Sequence, residues 1–595
     1  MKKFILLFLP LFLITACKQN FLDTQIRSAY DDEIFWTSGP NNLRAFGMGV
    51  YNYLKHFNRF NNNAMLASAT DEADHATFSE MQRFNTGAWN AFTNPDDVWD
   101  DYYKGIRHAN LFLEKSENFR SMIVVDTFSN KSAYLIDVDD FIKLRAEVRF
   151  LRAFFYMELI KRYGGVPLVV NTLNENESKA VQRSSFQECV NFIVKECDES
   201  YIDLTNHYIN YGIPAGKTLG VGDGGTNNNR LGRIEKPAAL ALKLRALLYA
   251  ASPLHNASND KRRWELAAAA GQQFFTDPNC VQVNFLSTNY KDLFMAQNTT
   301  NNLTPRKGAN AGIIMTRPYQ LNSNVFERAN YPVGMANAGE GATCPSQNLI
   351  DAFETKSGKS ITDPTSGFDP LKPFANRDAR LEWLIVINGS SMGLNANNTA
   401  RIVQSYKGGP DGVGAKEGAT TTGYYLRKMC IENYDLTKAG TRAKSWVILR
   451  FAEVLLNYAE AMNEAYGPDS KPLINGVVAS RSALEAINMV RKRAGQPDIL
   501  AGISQSDLRQ RIRNERRIEL AFEEHRFFDV RRWKIAEQTE NIPLSGISIS
   551  NNSGILSFDK FVVENRFFEP KMYLYPIPNI EILKSNGVLT QNPGW

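Results

Sequence analysis

Cysteine is scarce in this chain: six occur in 595 residues, and none forms a C-x-x-C pair. That is too sparse for a disulfide framework. Histidine is equally rare, at six, and no two stand in an H-E-x-x-H arrangement, so the common zinc-protease signature is missing. Charge of one sign is also lacking. Lys and Arg number 68 against 63 Asp and Glu, an excess too small and too dispersed to argue for nucleic acid. After residue 16 no run of 18 apolar residues occurs, which excludes a later membrane-spanning helix. Neither a G-x-S-x-G elbow nor a Walker A sequence is present. With 43% hydrophobic and 22% charged residues, the composition is that of a globular protein of ample core volume.

The first residues, MKKFILLFLPLFLITA, place two lysines before about a dozen apolar positions and then small residues. This reads as a secretory leader, too short to span a bilayer. Five cysteines follow Cys17: Cys189, Cys197, Cys280, Cys344 and Cys430. They read as buried free thiols, the first two spaced to share one helix face.

Apolar periodicity predicts helices separated by long loops. In LRAEVRFLRAFFYMELIKRYGG, the residues Leu144, Val148, Leu151, Phe155 and Leu159 form one face, and Gly164-Gly165 stops the helix. A second helix spans Pro237 to Ser252, its alanines permitting a close neighbour. A third is WVILRFAEVLLNYAEAMNEAYGP, with Val447, Phe451, Val454 and Tyr458 on its stripe. A fourth covers Ser482 to Ala494. A fifth runs from about Asp507 to Arg532, capped by Ser504 or Ser506. Loops rich in Asn, Gly, Thr and Ser occupy 205–235, 296–345, 355–375 and 388–422, long enough to carry function.

Catalytic patterns fare poorly. Gly220-Val221-Gly222-Asp223-Gly224-Gly225 satisfies G-x-G-x-x-G, but no clear strand precedes it and no helix follows at once, so a solvated loop is the better reading than a dinucleotide or calcium site. Asp71-Glu72-Ala73-Asp74 and Asp96-Asp97 are read as solvated loop acids, although glycoside hydrolysis would need such a pair. Glu453 and Glu460, and Glu515, Glu519 and Glu523 beside Arg516, Arg517 and Arg526, lie in helices of high apolar content. Buried charges must be paired, so an internal Arg–Glu lattice is expected there. No catalytic residue, cofactor or metal is assigned.

Several segments in order carry a resemblance: FLD at Phe21–Asp23, VWDDYYKGIRHANLFLE, the Leu144–Val169 helix, GRIEKPAALALKLRALLYAAS, RFAEVLLNYAEAMNEAYG, ERRIELAFEEHRFFDVRRW and LYPIPNIEILKSNGVLTQNPGW. Together they resemble the SusD/RagB family of outer-membrane lipoproteins, and Ile14-Thr15-Ala16-Cys17 resembles a lipobox. The resemblance implies a mainly α fold, a tetratricopeptide-like helical-repeat scaffold with long loops and a few short strands. It implies a signal peptide over 1–16, lipid on Cys17 and anchoring at the outer membrane. The regions are 17–235, with the first helix pairs, and 236–595, with the remaining pairs and ligand-facing loops, in one intertwined unit. The implied role is non-catalytic capture of oligosaccharides for a SusC-like TonB-dependent β-barrel. A peptide ligand, a glycosidase and a purely structural lid are the rivals.

Sugar rings offer apolar C–H faces, so aromatic platforms with planar polar neighbours mark a glycan site. The family's ligand region lies just upstream of VWDDYY, which points to Trp89, Asn90 and Arg83. Loops before the Pro345–Glu354 segment add Tyr290, Tyr319, Arg328 and Tyr331, each equally readable as ligand contact or buried anchor. Trp99 reads as structural; Trp36, Trp264, Trp446 and Trp533 read as core, and Trp383 as either.

Overall fold

The computed structural model describes residues 36, 39–123, 128, 130–206, 232–288, 290–294, 312–321, 325–335, 339–395, 397–436 and 442–595. The leader, Cys17 and the glycine-rich 220–225 loop lie outside these residues. Eight helices of eleven residues or more stand among the described residues: α1 (Trp99–Lys115), α2 (Lys131–Tyr163), α3 (Phe186–Asp203), α4 (Lys236–Ala251), α5 (Lys261–Thr276), α6 (Phe451–Tyr466), α7 (Ala483–Arg493) and α8 (Gln505–Glu519). From α1 to α6 each packs on the next, and α6 also packs on α7 and α8. The result is a mainly α, stacked-helix scaffold.

Local chemistry sets the helix ends. Ser185 and Glu188 form a reciprocal capping box at the start of α3, and Ser482 and Glu485 do the same for α7, each satisfying two otherwise orphaned donors. Ser504 caps α8 through the Asp507 amide. At the end of α2, Gly164 turns left-handed (φ 74°) and donates to the Ile160 carbonyl. Gly165 follows because a Cβ there would lie 2.2 Å from the Ser184 carbonyl oxygen. Most of the C-terminal half of α2 is buried, as a helix enclosed by neighbours must be. The alanine-rich α4 is buried on nearly every side between α3 and α5.

Two sequence expectations are corrected. The stretch from Trp446 to Arg450 is not helical: it belongs to strand β4 (Arg442–Arg450), antiparallel to β2 (Ile313–Leu321) with Trp446 opposite Arg317. β-Branched and aromatic residues there fit a sheet, and Phe451, in register with either period, begins the helix. The fifth helix does not run unbroken to Arg532. It stops at Glu519, and a helix from His525 to Arg532 restarts after a turn in which Phe522 and Glu524 take φ of 64° and 65°. The Phe522 amide donates to the Glu72 carboxylate (3.2 Å), a long-range contact that no periodicity contains.

A second apolar core, including Phe57, Tyr331, Tyr424 and Trp446, lies under the loops. The expected Arg–Glu lattice is present and extends further than α6 and α8. Arg245 forks onto Glu453 (2.7 and 2.6 Å) and Arg532 onto Glu460 (2.6 and 2.7 Å). Glu519 receives Arg380, Arg450 and Arg493. The five cysteines after Cys17 are free and buried.

Candidate functional site

Strand β1 (Ala73–His75) pairs antiparallel with β3 (Thr343–Pro345), Asp74 opposite Cys344. Just past the strand ends one residue joins two loops: Ala76 N donates to Ala342 O (2.9 Å), and Ala342 N donates to Ala329 O (2.7 Å). Ala329 belongs to a short helix, Val325–Asn330. The loop that carries Phe78 and the short helix that carries Arg328 are therefore joined through Ala342. Asn62 Nδ2 donates to Phe78 O (2.8 Å), and Ser79 Oγ donates to Asn61 O (3.1 Å), which brings the Asn61–Asn63 turn alongside. Asn62 and Asn63 are left-handed there (φ 59° and 58°), a conformation asparagine tolerates better than most residues. Phe78 is 66% exposed; Asn61, Asn62 and Arg328 are exposed as well. Arg83 is half-buried and ion-paired to Glu80 on the same loop.

The floor beneath this junction is stiff. Arg517 and Arg526 both grip Asp71 (2.7 and 2.8 Å); burial alone would raise its pKa, but the two guanidinium groups hold it well below the carboxylate range. Thr421 Oγ1 donates to Asp74 (2.7 Å), and Arg566 donates to the carbonyls of Thr70 and Ala73. Asp96 is buried between Arg59 and Arg162. The reading of these acids as solvated is thus corrected: Asp71, Glu72, Asp74 and Asp96 are all buried. Glu72 has one oxygen without a partner, and burial, reinforced by the charge of Asp71, pushes its pKa up to about 8.

The candidate residues separate into groups. Trp89 is only 3% exposed, enclosed by Phe84, Tyr575 and Trp595 at ring separations of 4.7, 5.4 and 4.6 Å. It offers no open face, because the C-terminal segment closes over it. Asn90 is exposed, but its side-chain oxygen turns back onto Phe92 N (2.8 Å). Tyr290 is a buried hub: its hydroxyl donates to Glu519 O (2.9 Å) and its ring lies under Arg493. Tyr331 is fully buried and donates to Ile431 O. Tyr319 lies on β2 opposite Lys444; its side chain is outside the described residues. Arg83 and Arg328 remain at the surface. Exposed phenylalanines escaped the sequence reading, among them Phe78 and Phe92, the latter 78% exposed. Their signal was a lone aromatic in a polar loop, in HATFSE and NAFTNP, overshadowed by the neighbouring tryptophan. Trp99, Trp264, Trp446 and Trp533 are buried, as read.

An open aromatic ring, asparagine amides and a guanidinium are groups of the kind that contact polar, ring-faced ligands. The scaffold that presents these loops is of the stacked-helix, helical-repeat class. The model of the SusD family matches residues 307–595, and a second, described as starch-binding associating with outer membrane, matches residues 20–211. The chain belongs to the SusD/RagB family. It is 30% identical to SusD-like protein P2 of Formosa agariphila, over 25% of this chain and only 26% of that one. With SusD-like protein P25 of the same organism it shares 21% identity over 88% of this chain and 89% of that one. Among solved structures, a SusD-like protein of Bacteroides fragilis is 29% identical with a TM-score of 0.72, covering 95% and 99% of the two chains. A SusD-like carbohydrate binding protein of the same species is 23% identical with a TM-score of 0.69, covering 93% and 99%. No helix among the described residues is long and apolar enough to cross a membrane.

Proposed function

We propose that this chain is a non-catalytic cell-surface protein that captures oligosaccharides and passes them to a SusC-like TonB-dependent transporter, held at the outer membrane by lipid on Cys17. The observation that carries the capture step is Phe78, an open ring on a loop whose backbone accepts from Asn62 and which the Ala76–Ala342–Ala329 hydrogen bonds join to the short helix bearing Arg328. Burial of an aromatic face against sugar C–H groups supplies affinity, and the amide and guanidinium supply direction. The nearby carboxylates that a hydrolase would require are engaged in ion pairs or buried, which favours binding without chemistry. The printed names of the family and of a structural relative, starch-binding at the outer membrane and carbohydrate binding, support the ligand class and the location.

Affinity electrophoresis of the full chain through gels containing different polysaccharides tests this. One polymer class should retard it. Phe78→Ala should weaken that retardation by about 1–2 kcal/mol, ~5–30-fold, with an unchanged thermal midpoint. Retardation by no polymer, with peptides bound instead, would overturn the glycan reading.

A further inference from the structure

The chain contains three Asn-Gly pairs, Asn388-Gly389, Asn475-Gly476 and Asn586-Gly587. Asparagine followed by glycine carries a built-in reaction. The glycine amide nitrogen can attack the side-chain carbonyl carbon of the asparagine and close a five-membered imide, because no Cβ on the glycine crowds the approach. In a folded chain the reaction needs a free nitrogen and a free side-chain amide. At Asn388-Gly389 both are tied. Gly389 N donates to Val403 O (2.9 Å), and Asn388 Oδ1 accepts from Ser405 N (2.9 Å). At Asn586-Gly587 the nitrogen is engaged just past the Asn579–Lys584 helix: Gly587 N donates to Ile582 O (3.4 Å) and Asn586 N to Leu583 O (3.2 Å).

Asn475-Gly476 differs. It is the two-residue turn of a hairpin in which Ile474 pairs with Val477 and Leu473 with Val478. The left-handed φ values, 50° at Asn475 and 81° at Gly476, are those of the turn that Asn-Gly favours. Among the described residues Gly476 N donates to no group and the Asn475 side chain has no partner. Both residues are exposed, and a Cβ on Gly476 would meet nothing within 4 Å. The hairpin is fastened away from its turn. Ala479 N donates to Pro472 O (2.9 Å), Ser480 N donates to Gln272 Oε1 of α5 (2.9 Å), and Ile474 is the buried apolar anchor. Leu473, Val477 and Val478 are exposed. A hairpin with two pairs and this little burial opens at small cost. Opening lets Asn475 leave the left-handed region and bring Cγ to the nitrogen.

We propose that Asn475 is a site of spontaneous covalent modification, converted through Gly476 to aspartate and isoaspartate ahead of the other two Asn-Gly pairs. Gly476 N bonds to Asn475 Cγ, the Cγ–Nδ2 bond breaks, and ammonia leaves with the glycine amide proton. Water then opens the imide. Cleavage between Cγ and the nitrogen gives aspartate; cleavage between the backbone carbonyl carbon and the nitrogen gives isoaspartate. One water is consumed, one ammonia is released, and no other reactant is needed. The isoaspartyl form lengthens the backbone by one carbon, which a two-residue turn cannot hold while keeping the Ile474–Val477 pair in register. Either product places a negative charge beside the exposed Leu473, Val477 and Val478.

Peptide mapping by mass spectrometry of the full chain, aged in mildly alkaline buffer, tests this. The peptide holding Asn475 should gain the single mass unit by which a hydroxyl exceeds an amino group, before the peptides holding Asn388 and Asn586 do. An isoaspartyl methyltransferase, added as a reagent, should label that same peptide. The chain aged in urea is the control. With the fold removed, the three pairs should convert at similar rates, because each asparagine is followed by glycine. Asn475 left intact in the native chain while it converts in urea overturns the proposal. So does native conversion at Asn388 or Asn586 as fast as at Asn475, and so does a preference for Asn475 that persists unchanged in urea.

Discussion

Glu519→Gln is the sharpest probe of the buried lattice. Glu519 is fully buried, and its oxygens receive Arg450 (2.7 Å), Arg493 (2.5 Å) and Arg380 (3.0 Å). Burial would raise its pKa, but Arg493, Arg450 and Arg380 hold it far below the carboxylate range. Arg380 keeps Asp378 and Glu515, and Arg450 keeps Glu523; Arg493 has no second carboxylate among the described residues. An amide of the same shape leaves that guanidinium buried and unpaired, which costs about 3–5 kcal/mol. In a chain this long that is about 2–4 °C in thermal midpoint by scanning calorimetry. Glu523→Gln is the control. Its partners are Arg450 and Lys428, and burial, opposed by Glu523, leaves Lys428 at about 8. Without Glu523 the lysine can shed its proton, whereas an arginine cannot. Glu523→Gln should therefore cost less than Glu519→Gln, and the gap should widen from pH 7 to pH 9. Equal losses at pH 9, or a loss below about 1 kcal/mol for Glu519→Gln, would refute this account of the lattice.

Trp89→Ala should lower stability by about 3–5 kcal/mol through the cavity it leaves, while polysaccharide retardation of the folded fraction is unchanged; lost retardation at an unchanged midpoint would return Trp89 to the binding surface. Glu72→Gln probes a raised pKa. A carboxyl at about 8 in the folded chain against an ordinary value of 4.5 binds its proton more tightly when folded, so its stabilisation is complete below pH 4.5 and is lost as pH rises through 8. The variant should match the native chain at pH 5 and exceed it by about 1–3 kcal/mol at pH 9, read from urea midpoints; equal midpoints at pH 9 would show that Glu72 is accommodated as a charge.

The helices were legible because each end carries its own signal. Ser185 with Glu188, Ser482 with Glu485, and Gly164-Gly165 are local devices, and their effect spans a single turn. The internal lattice was legible for a similar reason: acids and arginines recurring within apolar helices must find one another. Trp446 misled because its neighbours satisfy two periodicities, and the choice was made by β2, more than a hundred residues earlier. Trp89 misled because a polar loop suggests exposure, whereas Trp595 and Tyr575 arrive from the far end of the chain to cover it.

The sequence by itself determined the helical class, the free thiols, the pairing of interior charge and, through its ordered motifs, the family. All of these follow from local periodicity, composition or short spacing. Tertiary structure alone decided that Asp71 and Asp96 serve as ion-pair partners and that Tyr290 and Tyr331 are anchors. It also decided that the loop bearing Phe78 and the helix bearing Arg328 are both hydrogen-bonded to Ala342. Exposure is a property of what packs against a side chain, and here the packing partners lie hundreds of residues away.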